Sequence, residues 1–137
     1  MLPFHLALPS YDLQKTRDFY TKIIGVREMR SAFHWVDFDF FGHQLSFHLV
    51  REKERSVEST VIDGDQVPAR HFGVIMPEAQ WNELQERLRQ LNQSFIIGPR
   101  IRFQGQEGEQ GTMFIMDPSA NYLEFKYFSD VSRGAWY

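Results

Sequence analysis

One pattern occurs twice in this chain. The apolar run Pro3-Phe4-His5-Leu6-Ala7-Leu8 precedes a helix-like segment, and the run His71-Phe72-Gly73-Val74 precedes another. The two histidines lie 71 − 5 = 66 residues apart in a chain of 137 residues, so each copy takes close to half of the sequence. About three strand-like runs follow each helix-like segment. A duplicated strand–helix–three-strand unit restricts the fold more than any other feature of the sequence.

Periodicity and turn residues give the boundaries of the two copies. Apolar residues at helical spacing predict a helix over 12–24 that ends at Gly25. The stripe from Trp81 to Leu91 predicts a second helix, with Pro77 in its first turn. We expect one domain over 1–137. Its parts are module one at about 1–50, a connection at 51–68, module two at about 69–128 and a tail at 129–137. The polar segment within the connection is either a solvated loop or a lid.

Composition limits the classes of function. The chain is 42% hydrophobic with 13 Phe, which supports a packed core. A net charge of −3 leaves no basic excess for nucleic acid. No apolar stretch reaches the roughly 18 residues of a membrane span, and no signal-peptide pattern opens the chain, so we expect a cytoplasmic protein. Cysteine is absent, which leaves His, Asp and Glu as ligands for any metal.

Strand parity places three metal-ligating side chains on equivalent faces. If the large apolar residues of each first strand face the helix, His5 and His71 face the opposite side. Glu124 stands in the middle of the last predicted strand, where burial of an unpaired charge is costly. Two imidazoles and one carboxylate are the ligands of an open facial site for Fe(II), Mn(II) or Zn(II). Each histidine taken alone is more typical of a hydrogen-bonded structural residue.

These pieces resemble the vicinal oxygen chelate superfamily, which includes glyoxalase I, fosfomycin-resistance proteins, bleomycin-resistance proteins and extradiol dioxygenases. The resemblance covers about residues 3–128, and its most specific part is Asp117-Pro118-Ser119-Ala120-Asn121-Tyr122-Leu123-Glu124. It implies an α+β fold in which two βαβββ modules form a U-shaped sheet cup around a divalent metal. The metal ligands of the family then fall on His5, His71 and Glu124.

One departure from the family pattern separates its members. The position in module one that matches Glu124 is Ser46, whereas glyoxalase I generally has a fourth ligand there. A three-ligand set resembles extradiol dioxygenases and fosfomycin-resistance proteins instead, and the whole sequence looks most like small predicted extradiol-type dioxygenases. The resemblance therefore implies an oxidoreductase that cleaves a catechol-like ring. Fe(II) is the first expectation for the metal, and Mn(II), Zn(II) or Ni(II) are alternatives.

Two further residues are candidates for catalysis under this resemblance. Gln44, Ser46 and His48 share a predicted strand face, and extradiol cleavage needs a group that accepts and returns a proton. His48 suits this role; the alternative is a hydrogen-bonded strand histidine. Tyr122 either orients the substrate or only packs. We expect no organic cofactor.

Other functions remain open on the same scaffold. A glyoxalase-like or fosfomycin-resistance-like isomerase or transferase would use a redox-inert ion, and a bleomycin-resistance-like protein would bind its ligand without a metal. The expected partners are a small-molecule substrate and a second copy of the chain, and neither nucleic acid nor a membrane. His5 meets His71 and Glu124 either within one chain or across the dimer.

Overall fold

A computed structural model describes residues 2–52 and 58–130 of the chain. The chain divides into two compact units. Unit 1 comprises Met1–Glu54 with Asp117–Asn121, and unit 2 comprises Arg55–Met116 with Tyr122–Tyr137. No helix in the described ranges is long and apolar enough to cross a membrane.

Unit 1 contains a four-stranded sheet in the order β1-β4-β3-β2. The strands are β1 (His5–Ser10), β2 (Arg27–Ala32), β3 (Trp35–Phe40) and β4 (His43–Leu49). Strand β1 runs parallel to β4, and the other pairs are antiparallel. Helix α1 (Leu13–Asp18) continues as a π-helical segment (Phe19–Ile24) and ends, as predicted, at Gly25, whose φ is 88°. A positive φ favours glycine at this position.

The core of unit 1 is aromatic. Helix α1 packs on β3 and β4, and Tyr20, Phe38 and Phe47 are fully buried with ring centroids 4.7–5.9 Å apart. Phe4 precedes β1 and is 61% exposed, although the sequence placed it on the helix-facing side. The prediction of a covered face is wrong at this position.

Unit 2 repeats the arrangement in the order β7-β10-β9-β8. Its elements are β7 (Phe72–Ile75), α2 (Glu78–Gln90), β8 (Ile97–Arg102), β9 (Gln110–Met116) and β10 (Tyr122–Phe128). Helix α2 buries Trp81, Leu84 and Leu88, while Leu91 is 49% exposed. The indole N–H of Trp81 donates to the carbonyl of Phe125 at 2.9 Å, which fastens α2 to the last strand.

Matching registers show that the two sheets are copies. Ala7 lies opposite Ser46 in the parallel pair β1–β4, and Gly73 lies opposite Glu124 in the parallel pair β7–β10. Ser46 therefore occupies the position of Glu124, as the sequence alignment of the two halves predicts. The α+β fold with two βαβββ modules is confirmed.

The connection contains a hairpin that the sequence analysis did not predict. Strands β5 (Ser59–Ile62) and β6 (Asp65–Pro68) are joined by Asp63 and Gly64, both with positive φ, as a two-residue hairpin turn requires. Arg100 and Arg102 of β8 pair with Asp65 at 2.8 and 2.9 Å. These ion pairs attach the hairpin to strand β8 of the same unit. Of the predicted tail, residues 131–137 lie outside the described part of the chain.

A substitution at Gly73 tests the close approach of β7 and β10. A Cβ at this position would overlap the carbonyl oxygen of Glu124, so alanine would push the two strands apart. We expect Gly73→Ala to lower the free energy of unfolding by about 2 kcal/mol or more in chemical denaturation. Gly98→Ala in β8 is the matched control, because no atom lies within 4 Å of its Cβ position. Two equally stable variants would contradict this steric argument.

Candidate metal centre

Glu124 is a buried carboxylate at the centre of β10, with 8% of the residue exposed. Thr112 donates to Oε1 at 2.7 Å, while Oε2 lies 3.2 Å from Nε2 of His71 and 3.3 Å from Nζ of Lys126. Burial raises the pKa of this carboxyl, but hydrogen bonds from His71 and Thr112 and the charge of Lys126 outweigh it and lower the pKa to about 2. Glu124 is therefore ionised at neutral pH.

The ring of His71 is held on several sides. His71 stands immediately before β7, and its Nδ1 lies 2.7 Å from the carbonyl oxygen of Pro68, the last residue of β6. Because a carbonyl only accepts, Nδ1 carries the hydrogen. The ring also packs edge-on against Phe114, with centroids 5.1 Å apart. The hydrogen bond to Glu124 raises the pKa of His71, although burial opposes the shift.

The facing atoms of His71 and Glu124 need a cation between them. With Nδ1 protonated, a neutral imidazole presents the lone pair of Nε2 to the carboxylate, and two acceptors repel each other. A second proton on the ring removes the repulsion, and so does a divalent ion, which binds neutral imidazole and carboxylate. The two residues thus fit a metal as adjacent ligands, in competition with a proton.

His5 occupies the equivalent position in unit 1. Its Nδ1 lies 2.9 Å from Oε1 of Gln44, whose amide nitrogen donates to Asp37 at 3.0 Å. Asp37 also accepts from the hydroxyl of Ser46 at 2.6 Å and is only 4% exposed. Burial raises the pKa of Asp37, but the hydrogen bonds from Ser46 and Gln44 outweigh it and lower the pKa. A chain of hydrogen bonds therefore joins the imidazole of His5 to a buried, ionised carboxylate.

Sequence reasoning missed Asp37. In Trp35-Val36-Asp37-Phe38-Asp39-Phe40, polar and apolar residues alternate as they do on a strand with one solvated face, so the alternation alone indicates that Asp37 is exposed. The argument applied to Glu124, an acid in the middle of an apolar strand, would have found it. Ser46 stands at the position matching Glu124, as expected, and its hydroxyl donates to Asp37.

The structure brings His71 and Glu124 together. Among residues 2–52 and 58–130, no group of three His, Cys, Asp or Glu side chains is placed to hold a metal ion. His48 is exposed near the end of β4, opposite Trp35 and on the face of Gln44 and Ser46. Tyr122 is half-buried at the start of β10. The catalytic roles of His48 and Tyr122 stay predictions.

A cavity of about 310 Å³ lies in unit 1. Two of its lining residues, Asp37 and Gln44, also support His5. Arg30, another lining residue, lies 5.8 Å from the ring centre of Trp35 and 3.5 Å from Asp37. The full lining consists of Met29, Arg30, Asp37, Phe38, Asp39, Gly42, His43 and Gln44.

The turn before β10 is held by a buried acid. Asp117 is 1% exposed and accepts hydrogen bonds from the hydroxyl of Tyr20, from the backbone N–H groups of Ser119 and Asn121, and from the side chain of Asn121. The same Asn121 side chain donates to the carbonyl of Pro9 at 3.0 Å. Burial raises the pKa of Asp117, against the effect of these donors. The network fixes the turn that leads into the strand of Glu124.

Comparison with known proteins places these features in a family. No family model matches the chain, and neither does any curated protein. A solved structure described as a glyoxalase/bleomycin resistance protein/dioxygenase from Alicyclobacillus acidocaldarius is 34% identical, covers 96% of this chain and 95% of its own, and has a TM-score of 0.83.

Two other solved structures share the fold at lower identity. The fosfomycin resistance protein FosX from Listeria monocytogenes is 20% identical over 97% of both chains, with a TM-score of 0.68. Lactoylglutathione lyase from Agrobacterium tumefaciens is 17% identical over 92% of both chains, with a TM-score of 0.66. These two similarities concern the fold alone. On the similarity to the Alicyclobacillus protein over nearly its whole length, and on its paired βαβββ modules, the chain belongs to the glyoxalase/bleomycin resistance protein/dioxygenase family of the vicinal oxygen chelate superfamily.

Proposed function

We propose that the protein is an enzyme whose divalent metal is held by His5, His71 and Glu124. The observation that carries the proposal is the 3.2 Å approach of Nε2 of His71 to Oε2 of Glu124, with Nδ1 of His71 committed to a carbonyl. The superfamily generally uses divalent metals, and its members are mostly enzymes. His5 supplies the third ligand, from the same chain or from a second copy.

The proposed reaction is extradiol-type cleavage of a catechol-like small molecule. When bound, Fe(II) supplies a chelation site for the diol and redox chemistry with dioxygen. The hydroxyl of Ser46 is engaged by Asp37, which leaves three protein ligands and supports this reaction over glyoxalase I chemistry.

The side chains around the ligands have distinct tasks in this proposal. His48 takes a proton from a substrate hydroxyl and later returns it. Tyr122 and Lys126 lie on β10 with the parity of Glu124, so they face the substrate side of that strand. Lys126 offsets negative charge on a substrate oxygen, and Tyr122 orients the ring.

A second candidate keeps the metal and changes the reaction. The structures named FosX and lactoylglutathione lyase share this fold over more than 90% of the chain, and one fold can host different reactions. The second candidate is therefore isomerase-like or transferase-like chemistry with a redox-inert ion. Superfamily members often form dimers, and we propose a homodimer here. The cytoplasmic location stays a prediction.

Removal of either paired ligand should abolish tight metal binding. We expect His71→Ala and Glu124→Gln each to weaken binding of Zn(II) or Co(II) by more than about 100-fold, measured by isothermal titration calorimetry on chelator-treated protein. His34→Ala is the control, because His34 is an exposed histidine outside the site. Affinities that match the wild type in all three variants would refute the ligand assignment.

Mixing two variants that each lack one metal ligand shows whether His5 comes from the same chain as His71 and Glu124. If His5 of one copy meets His71 and Glu124 of another, a mixture of His5→Ala and Glu124→Gln subunits regains about a quarter of the metal sites, because half of the dimers are mixed and each has one intact site. If all three ligands come from one chain, mixing restores none. The metal content of the dialysed mixture distinguishes the two arrangements.

The pair should also make stability depend on pH. The pKa of Glu124 is lowered in the folded state, so its contribution is present above its ordinary value of 4.5 and is lost as pH falls toward about 2. The pKa of His71 is raised, so its contribution is present below its ordinary value of 6.5 and is lost as pH rises through the raised value. The pair therefore stabilises the protein most between about pH 4.5 and 6.5.

We test this window with Glu124→Gln in metal-free protein. The free energy of unfolding should fall by about 3 kcal/mol inside the window and by less on both sides, as measured by denaturant unfolding over a series of pH values. Glu83→Gln, at an exposed position of α2, should give a difference that is small and flat. A flat profile for Glu124→Gln as well would argue against the charged pair.

Oxygen consumption separates the two candidate reactions. Protein reconstituted with Fe(II) under anaerobic conditions should consume dioxygen when catechols are added, and His48→Gln should lower kcat by 100-fold or more. The same protein loaded with Zn(II) is the control and should consume none. An Fe(II) protein that is inactive across a catechol panel, beside a Zn(II) protein active on an epoxide or a thiohemiacetal, would favour the second candidate.

A further inference from the structure

The tautomer of His5 is dictated by side chains of unit 1. Asp37 is an ionised carboxylate and only accepts hydrogen bonds, so Gln44 must turn its amide nitrogen toward Asp37 at 3.0 Å. The carbonyl oxygen of Gln44 then points at Nδ1 of His5, 2.9 Å away. An amide oxygen also only accepts, so Nδ1 must carry the hydrogen. In the neutral ring, Nε2 is left with a free lone pair.

His71 reaches the same tautomer by a different route. Its Nδ1 faces the backbone carbonyl of Pro68, an acceptor that no side-chain substitution removes. The equivalent acceptor for His5 is a side chain, and its orientation depends on a second side chain. The tautomer of His5 can therefore be changed by mutation while that of His71 stays as an internal reference.

We propose that Asp37, acting through Gln44, is a positioning residue that holds His5 in the Nδ1–H tautomer and so presents Nε2 to a divalent metal. This inference rests on the proposed metal-dependent function. Neutral imidazole in water favours the opposite tautomer, with the hydrogen on Nε2, which cannot bind a metal through that atom. Asp37 thus determines which group donates at each hydrogen bond between itself and His5. Ser46, which donates to Asp37 at 2.6 Å, holds the carboxylate in place.

The charge of Asp37 matters because a carboxylate only accepts hydrogen bonds and so fixes which way the amide of Gln44 is turned. A neutral amide at position 37 could either accept from Gln44 or donate to it. In Asp37→Asn the new carbonyl can accept from Gln44, which preserves the tautomer of His5. The new NH₂ group can instead donate to Gln44, which then turns its own nitrogen toward His5 and stabilises the Nε2–H form. Arg30 also lies 3.5 Å from the Asp37 oxygen that Gln44 bonds, but its side chain is 77% exposed and can turn to solvent, so both networks can form. The near-isosteric substitution should therefore give a mixture of tautomers in a folded protein.

Nitrogen-15 NMR of the metal-free protein above the pKa of its histidines reads the tautomer of each ring. We expect the Nδ1–H form at His5 and His71 in the wild type, mixed forms at His5 in Asp37→Asn, and mainly the Nε2–H form at His5 in Gln44→Leu. The spectrum of His71 should not change in either variant, which shows that the fold is retained. Asp39→Asn is the matched control, because Asp39 lies on the same strand and bonds Gly42 and Arg27.

Metal affinity gives the second readout. Supporting residues of this kind typically contribute 10- to 100-fold, so Asp37→Asn and Gln44→Leu should weaken Zn(II) binding by about that factor, and Asp39→Asn should not. An Nε2–H tautomer at His5 in the wild type, or an unchanged tautomer in both variants, would overturn the proposal. A changed tautomer with unchanged Zn(II) affinity would overturn the role toward the metal. A wild type that shows the expected tautomers but binds no metal would refute the proposed function and leave the orienting chain standing.

Discussion

The parallel pairing of the first and fourth strands is the constraint on which both halves of this protein depend. It sets His5 beside Gln44 in one sheet and Gly73 beside Glu124 in the other. Parallel neighbours need a long crossover, which the helix and the two intervening strands provide. In unit 2 the strands approach so closely that only glycine fits opposite Glu124. Each first-strand histidine is thereby kept next to the strand whose polar residues act on it.

Each sheet buries one carboxylate, and the two halves place it differently. In unit 2 the acid is Glu124 on the fourth strand, held by the hydroxyl of Thr112 at 2.7 Å. In unit 1 it is Asp37 on the third strand, held by the hydroxyl of Ser46 at 2.6 Å. A buried charge is costly unless it is paired or hydrogen-bonded. Asp37 accepts from Ser46 and Gln44, and Glu124 accepts from Thr112 and pairs with Lys126. One acid faces a histidine directly, and the other reaches its histidine through an amide. In the proposed metal centre, Glu124 is therefore a ligand, whereas Asp37 only supports one.

Much of the fold, and the position of Glu124 within it, could be predicted from the sequence, because helices and strands leave a periodic pattern of apolar residues. The alternation around Glu124 and the stripe from Trp81 to Leu88 each reflect burial on one face, and Gly25 reflects a backbone that needs positive φ. The rest depends on contacts between residues far apart in the chain. The hairpin of β5 and β6 has too few apolar residues to be predicted as two strands. The backbone carbonyl of Pro68, which bonds His71, cannot be inferred from a pattern of side chains. Asp37 looked solvated because its covering residues lie on other strands.

The unpredicted hairpin has a consequence for how this protein can vary. Pro68 closes β6 and receives the ring hydrogen of His71, while Asp65 at the other end of the same strand is tied to Arg100 and Arg102. If His71 binds a metal as proposed, substitutions in this hairpin would tilt its imidazole and change the affinity for the ion, although the hairpin itself holds none of the proposed ligands. In a centre of that kind, a change of chemistry need not begin at the ligands; it can begin in a peripheral hairpin whose backbone carbonyl orients one of them.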